Sequence, residues 1–270
     1  MKRAQLFAGL ALVALVVVTA VVSLFWTPFD PIRVVPGQRL LGPGWPHVLG
    51  TDGFGIDIAS RLMVGARTVL TVGIISVGLA AVVGVPLGML AGQNGGWVDE
   101  VVMRVGDVVY AFPALLLAIL LASVFGASTV TAMVAIGVAS IPAFARVARA
   151  GTLQVMASDF VLAARASGTS RWGIARRHVL PNIAPVVGVQ ASVGFALAIL
   201  AEAALSYLGL ATPRPTPTWG NMLRDAQQFL FVAPLQALWP GLAIALAVLG
   251  FNLLGDGLRD YLDPRLREVP

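Results

Sequence analysis

The chain has 270 residues, of which 58% are hydrophobic and only 11% are charged. A soluble domain of this size carries about 25% charged residues, because its surface must meet water. The composition therefore excludes a water-soluble globule and predicts a protein whose solvent is largely lipid. Cysteine is absent and histidine occurs only at His47 and His178, which excludes disulfides, thiol chemistry and a Cys/His metal site.

The net charge of +5 does not indicate nucleic-acid binding. A nucleic-acid binder carries a dense basic patch with interleaved aromatic residues. In this chain the arginines lie between long apolar runs instead. We therefore expect contact with membrane lipid and none with nucleic acid.

Six apolar runs are long enough to cross the hydrocarbon core, for which a helix needs about 20 residues. The first, Leu6–Trp26, exceeds the apolar core of a signal peptide, which has about 7–15 residues, so we predict a retained anchor helix. A proline-rich polar connection over residues 27–66 follows it. The other spans are predicted at Thr68–Ala91, 104–125, 130–149, Ile183–Tyr207 and Pro234–Leu254.

The distribution of basic residues predicts the orientation of these spans. Six spans place both termini on one side, together with the connections 92–104 and 150–182. Most lysines and arginines of the short connections lie on that side, and basic residues favour the cytoplasm. We therefore expect cytoplasmic termini, an anchor and outer loop over 1–66, a core over 67–258 and a cytoplasmic tail over 259–270.

The connection Ser158–Pro181 is too charged to span the membrane and carries helix signals of its own. Ser158 is predicted to cap a helix that begins at Asp159. Gly168 suits the left-handed position just past the end of that helix. A second helix is expected to begin at Thr169 or Ser170, and Pro181 to prevent its smooth continuation.

Both short helices have one face suited to docking. The first face is predicted to consist of one aromatic and several small residues: Phe160, Ala163, Ala164 and Ser167. On the second helix, Arg176 and Arg177 are expected to face away from a line formed by Trp172, Ala175 and Val179. The residues alone leave two interpretations open, which are docking into a partner and binding of anionic lipid head groups.

Three residues of the spans are candidates for gating or for the transport pathway. Buried charges in a membrane are costly and are functional candidates by default. Asp107 is expected to pair with Arg104, and Glu202 to reach interfacial water or backbone donors near the outer end of the fifth span. Pro113 is expected to mark a kink in a gating helix.

The Ser158–Pro181 connection resembles the EAA motif of importer-type ABC permeases, in which a short coupling helix fits a groove on the ATPase subunit. The matching residues are Ala163, Ala164, Gly168, Leu180 and Pro181. Leu162 stands where the family has an acidic residue, so one salt link of the motif is missing. The resemblance implies an ATPase-coupling role for these residues and for Phe160, Arg165 and Arg171.

Five further blocks resemble the second-subunit, C-type permeases of the dipeptide, oligopeptide and nickel class, namely Leu49–Arg67, Gly95–Pro113, Leu200–Leu210, Pro215–Leu223 and Phe251–Arg267. This resemblance implies an all-α, type I (MetI-like) importer permease of the inner membrane. It also implies a second homologous permease, two cytoplasmic ATPase subunits and an extracytoplasmic binding protein as partners.

The implied function is passage of a peptide, driven by ATP on the partner subunits. The chain has no phosphate-binding loop of the G-x-x-x-x-G-K-[ST] type, so we expect no enzymatic activity and no cofactor of its own, with ATP and Mg²⁺ held by the ATPases. A nickel or other metal chelate and haem are the alternative substrates. An ion-coupled secondary transporter is a more distant alternative, and its expected inverted repeat and midplane carboxylates are not evident.

Overall fold

The computed structural model describes residues 2–262, which form helices and loops with one isolated β-bridge between Thr51 and Asp57. The prediction of an all-α protein is confirmed for this part of the chain. The helices are α1 (Lys2–Phe25), α2 (Ile58–Asn94), α3 (Gly96–Ala111), α4 (Ala114–Phe125), α5 (Thr129–Met156), α6 (Asp159–Ala166), α7 (Arg171–Ile174), α8 (Leu180–Leu208), α9 (Trp219–Ala226) and α10 (Leu235–Leu262).

Five helical segments of the described residues are long and apolar enough to cross a membrane, and the bent pair α3–α4 makes a sixth if it counts as one span. The helix that contains the second predicted span, Thr68–Ala91, extends beyond it at both ends, from Ile58 to Asn94. Asp57 caps that helix by accepting a hydrogen bond from the backbone N–H of Ser60 at 2.8 Å. Residues 263–270, which include most of the predicted tail, lie outside the described residues.

The predicted third span, 104–125, is two helices rather than one. The axes of α3 and α4 differ by 80° at a break formed by Phe112 and Pro113. Proline lacks the N–H that an α-helix needs and forces the preceding residue out of the helical region. Phe112 is accordingly extended, with φ −84° and ψ 120°, so the kink expected at Pro113 is present as a complete break.

A glycine seam joins α2 to α5, the central pair of the bundle. Gly84, Gly88 and Gly92 repeat at four-residue spacing, so they lie on one face of α2. A Cβ atom at Gly88 would lie 2.2 Å from the carbonyl oxygen of Ala145. Such small-residue contacts let helix backbones approach closely in a membrane, where van der Waals packing drives association.

Substitution of Gly88 by Val is expected to separate α2 from α5. The added side chain would overlap backbone of α5, and overpacking of this kind costs about 1–3 kcal/mol or more. The midpoint of thermal unfolding of the detergent-solubilised protein should fall. Gly78→Val is the matched control on the same helix, because a Cβ there meets nothing within 4 Å. Equal melting temperatures of both variants would contradict the close contact.

The two terminal helices of the described chain, α1 and α10, pack along each other through a second set of small residues. A Cβ at Gly9 would lie 2.4 Å from the backbone nitrogen of Leu254, and one at Gly250 would lie 2.8 Å from Leu12. The chain therefore holds α1 as a part of the bundle. Whether the first span is retained, as the sequence predicts, stays a prediction.

Candidate functional site

The helix α6 forms where the sequence predicted it, and its end is determined by Gly168. Ser158 occupies the N-cap position, but its hydroxyl donates to the Val155 carbonyl and makes no capping bond, so the predicted side-chain cap is wrong. Gly168 has φ +80°, in the left-handed region. The backbone N–H of Thr169 there bonds the Ala164 carbonyl at 3.0 Å, which closes the helix end.

The two faces of α6 differ in exposure. Val161 is completely buried against the bundle and anchors the helix. Phe160 is 48% exposed, and its ring lies 5.9 Å from the ring of His178. Ala163 and Ser167 on the same side are exposed, and Ala164 is half-buried. The predicted face of one aromatic knob and small residues therefore lies at the surface.

The second short helix, α7, runs into the next span without a break, so the prediction that Pro181 prevents smooth continuation is wrong. Ser170 caps α7 by accepting a hydrogen bond from the Gly173 N–H at 3.1 Å. A π-helical turn over Ala175–Val179 then leads directly into α8. The wider turn, with a bond from the Leu180 N–H to the Ala175 carbonyl, gives the proline ring room that a regular α-helix denies it.

The predicted alignment of Trp172 with Ala175 and Val179 is also wrong. Ala175 and Val179 are buried together with Ile174, whereas Trp172 is 75% exposed. A π-helical turn rotates the chain less per residue than an α-helix does. Val179 therefore lies closer to the side of Ile174 than to the side of Trp172. Trp172 instead borders a shallow polar depression with Arg176 and Arg177.

We call the outer side of this connection the coupling surface, after the role that the sequence resemblance implies; it comprises Phe160, Ala163, Ala164, Arg165, Gly168, Arg171, Trp172, Arg176 and Arg177. Arg171 ties α7 to the end of α2, because its guanidinium donates to the Asn94 side-chain oxygen at 2.7 Å. The other three arginines are exposed. Leu180 and Pro181, also assigned to this surface from sequence, lie exposed at the start of α8.

The coupling surface can bind a protein, and its side chains offer little to a small molecule or a metal. It combines two exposed aromatic rings with exposed guanidinium groups and lacks a deep pocket. No group of three or more His, Asp or Glu side chains that could hold a metal ion occurs in residues 2–262. The arrangement suits a partner surface that offers an apolar recess with carboxylates near its edge.

The predicted partner of Asp107 is wrong. Its carboxylate accepts a hydrogen bond from Arg146 on α5, with 2.8 Å between the Asp107 Oδ1 and the Arg146 Nη2 atoms. The guanidinium of Arg146 also lies over the Tyr110 ring, 4.5 Å from its centroid. Arg104 on the same helix is exposed. A residue on a neighbouring helix therefore outcompetes the one on the same helix.

The predicted environment of Glu202 is wrong as well. We expected this carboxylate to reach interfacial water or backbone donors, but the side chain is completely buried and its hydrogen-bond partner is a hydroxyl. Its Oε1 accepts a hydrogen bond from the Ser206 hydroxyl at 2.6 Å, within α8. The first turn of α9 covers this region, since a Cβ at Gly220 would lie 2.7 Å from the Ser206 Cβ. The geometry does not place Glu202 on an open pathway.

A buried ionic network that was not predicted from the sequence lies at the end of the bundle opposite the coupling surface. Arg61 on α2 contacts Asp52 in the preceding loop and also Asp225 on α9, the latter at 3.2 Å between Nη2 and Oδ2. Asp225 also binds Arg214. Arg61, Asp52 and Asp225 are all buried. The signal in the sequence was an arginine one turn inside an apolar helix, which needs a carboxylate partner.

A second pair in the same loop supports the start of α2. His47 is buried and its Nδ1 lies 2.9 Å from Oδ1 of Asp57, the capping residue. The other carboxylate oxygen accepts from the Ser60 hydroxyl at 2.7 Å. The long loop is thus folded onto α2, α9 and α10 by polar side chains rather than extended in solvent.

Comparisons with known proteins agree with this architecture. The family model described as "binding-protein-dependent transport system inner membrane component" matches residues 84–268. A dipeptide transport system permease protein of Alkalihalophilus pseudofirmus is 42% identical over 264 residues, which cover 96% of this chain and 86% of that protein. A glutathione transport system permease protein of Pectobacterium atrosepticum is 43% identical over 248 residues, covering 90% and 82%.

A solved structure of the MetNI methionine ABC transporter in an inward-facing conformation has a similar fold. The TM-score is 0.61 at 17% identity, and the alignment covers 75% of this chain and 97% of that chain. At this identity the likeness shows the fold alone, and it confirms the MetI-like permease fold implied by the sequence blocks. The family match covers most of the chain and includes the coupling surface. The chain therefore belongs to the family of binding-protein-dependent transport system inner membrane components.

Proposed function

We propose that this chain is one of two homologous permease subunits of an ATP-driven importer and forms, with the other, the membrane pathway for short peptides. Two cytoplasmic ATPase subunits hold ATP and Mg²⁺ and drive the cycle. An extracytoplasmic binding protein delivers the peptide. The chain itself contributes the pathway and the coupling surface, and we assign it no cofactor and no hydrolytic step.

The coupling surface is the observation that carries this proposal. The connection is anchored by the buried Val161 and leaves the Phe160 ring half-exposed, so this ring has surface available for a partner. The connection stands at the end of the bundle that also contains the α2–α3 connection, as the Arg171–Asn94 contact indicates. Closure of the ATPase subunits on ATP would move this surface. The helix is continuous from Arg171 to Leu208, so the same movement would reach the fifth predicted span.

The proposed orientation places the coupling surface in the cytoplasm together with both termini. The basic residues concentrated there support it, because cytoplasmic connections are rich in Lys and Arg. The proline-rich loop and α9 then face outward, where the binding protein docks. The pair α3–α4 counts as one broken span in this arrangement, which gives six spans in total.

Short peptides are the proposed substrate because two similar permeases are named for a dipeptide and for the tripeptide glutathione. The direct test is uptake of a radiolabelled dipeptide and of radiolabelled glutathione by a strain that lacks its own peptide importers and expresses the complete transporter. A control transporter with the P-loop lysine of its ATPases replaced should import neither. Import of a nickel chelate or haem with no import of either peptide would contradict the peptide assignment and leave the permease assignment in place.

Ala164→Trp is expected to abolish this uptake without removing the protein from the membrane. Ala164 is half-buried at the base of the coupling surface, so an indole there would push an ATPase subunit away from α6. Uptake and membrane abundance should be measured on the same cells. Ala166→Trp is the control, since Ala166 is exposed on the same helix but outside the Phe160 face. Normal uptake by the Ala164 variant at normal abundance would refute the coupling role.

A further inference from the structure

An exposed ion pair links α3 to α5 away from the coupling surface. Arg146 donates to Asp107 at 2.8 Å and stacks on Tyr110. The two charged side chains are 40% and 57% exposed, respectively, and Tyr110 is 60% exposed. The cluster of Asp107, Tyr110 and Arg146, here called the α3–α5 cluster, is therefore open on the surface of this chain.

The position of Arg146 along α5 places the cluster inside the membrane. The helix has 28 residues and is about 42 Å long at 1.5 Å per residue. Arg146 lies about 26 Å from the start of this helix at Thr129 and about 15 Å from its end at Met156. A hydrocarbon core about 30 Å thick that fits within the helix contains Arg146 wherever it is placed along the axis.

Exposure at this depth restricts what can surround the cluster. An exposed charged pair facing lipid would cost several kcal/mol, even with its partner in contact. Charged residues of membrane spans therefore face a water-filled cavity or another protein chain. The most exposed side chains of the middle of α2, Ile74, Ile75 and Val82, are by contrast apolar and suit lipid.

The break between α3 and α4 is a second, independent observation that this part of the surface does not face lipid. Residues 110–116 are all exposed, including the non-helical Phe112 and Pro113. Non-helical backbone at membrane depth is tolerated only where it is buried in protein or lines an aqueous cavity. The break begins two residues after Tyr110, so the two features lie close together in the chain.

We infer that the α3–α5 cluster lines the aqueous transport pathway and contacts the charged ends of the peptide during passage. A free peptide is a zwitterion, with an ammonium group that Asp107 can bind and a carboxylate that Arg146 can bind. The phenol ring of Tyr110 completes the site with a polarizable face. This inference rests on the proposed function and adds to it a place where this chain touches its substrate.

Cysteine labelling tests the aqueous location, and the natural absence of cysteine makes the chain a clean background. In the complete transporter reconstituted into lipid nanodiscs, Tyr110→Cys and Phe112→Cys should react with a charged methanethiosulfonate reagent. Val82→Cys, which is 73% exposed in the middle of α2, is the matched control. We expect labelling at least about tenfold faster at the two α3–α4 positions, because the reactive thiolate forms in water and not in lipid.

The labelling rates should be measured both without nucleotide and with ATP bound. If neither variant reacts faster than Val82→Cys in either state, the aqueous location is refuted. A wild-type transporter that imports the dipeptide in the same preparation would show that the proposed function survives that result. Failure of the wild-type to import any peptide would instead count against the proposed function. The two failures are therefore distinguishable.

A charge exchange tests contact with the peptide. Asp107→Arg alone should prevent normal assembly, because two guanidinium groups then meet. The double variant Asp107→Arg/Arg146→Asp restores the ion pair and should restore the amount of assembled transporter. Its maximal transport rate should nevertheless stay below about a tenth of the wild-type rate, since each end of the peptide meets a like charge. Full recovery of transport would show a purely structural pair and refute the substrate contact.

Discussion

Gly168→Asp is expected to abolish peptide uptake while the permease remains in the membrane at its normal abundance. Gly168 has φ +80°, and a Cβ atom at this residue would meet no other atom within 4 Å. The new side chain therefore meets no steric barrier inside this chain, and its backbone strain costs about 1–3 kcal/mol. Its carboxylate would lie between the exposed arginines of the coupling surface and weaken their attraction for an acidic ATPase edge. Uptake of radiolabelled dipeptide, normalised to membrane abundance by immunoblot, measures the effect.

Gly126→Asp is the matched control for this experiment. Gly126 also has a left-handed backbone, with φ +83°, and open space around its Cβ position. It lies in the short connection between α4 and α5, at the end of the bundle opposite the coupling surface. Its substitution imposes the same type of strain but leaves the ATPase contact unchanged, so uptake should persist. If both variants lose uptake equally, backbone strain explains the effect and the coupling role of Gly168 is contradicted.

Arg61→Met is expected to produce the largest loss of stability. Arg61 lies between the buried carboxylates of Asp52 and Asp225. Removal of one partner of a buried ion pair costs about 3–5 kcal/mol, because it leaves an uncompensated buried charge. Methionine keeps the length and apolar stem of the side chain, so loss of packing contributes little. The loop that contains Asp52 and the helix α9 should both detach from α2.

The measurement is the thermal midpoint of the detergent-solubilised protein, followed by fluorescence-detected size-exclusion chromatography. Arg33→Met is the control, because Arg33 belongs to the same loop but is exposed. The thermal midpoint of this variant should match that of the wild-type. A double variant, Arg61→Met with Asp52→Asn, should recover part of the lost stability, since one of the two orphaned charges is then removed. An unchanged midpoint for Arg61→Met would refute the network as a source of stability.

The two short helices of the coupling surface were predictable because their signals are local. Gly168 follows a helix-forming run directly, and a glycine at that position favours a left-handed backbone. The apolar length of each span is local in the same sense, because about 20 residues cross the hydrocarbon core regardless of their neighbours. The errors at Trp172 and Pro181 arose where a π-helical turn changed the period that the prediction assumed.

The partners of charged residues were not predictable in this way. Asp107 has Arg104 one turn away on its own helix, and only the packing of α3 against α5 brings Arg146 closer. The burial of Glu202 depends on α9, which comes later in the chain and packs over this part of α8. The glycine repeat of α2 was visible in the sequence, but the helix that it approaches was not.

Composition, apolar length and local helix signals were enough to predict a membrane protein, the approximate positions of its apolar helices, and a short helix within the connection Ser158–Pro181. Each of these signals acts over a few helical turns, so the amino-acid sequence carries it without reference to the rest of the fold. The packing of the helices was needed to learn which charges meet, which carboxylate is buried and which polar cluster stays open at membrane depth. Such properties depend on helix neighbours far apart in the chain, and the energy of a charge in a membrane is determined by those neighbours.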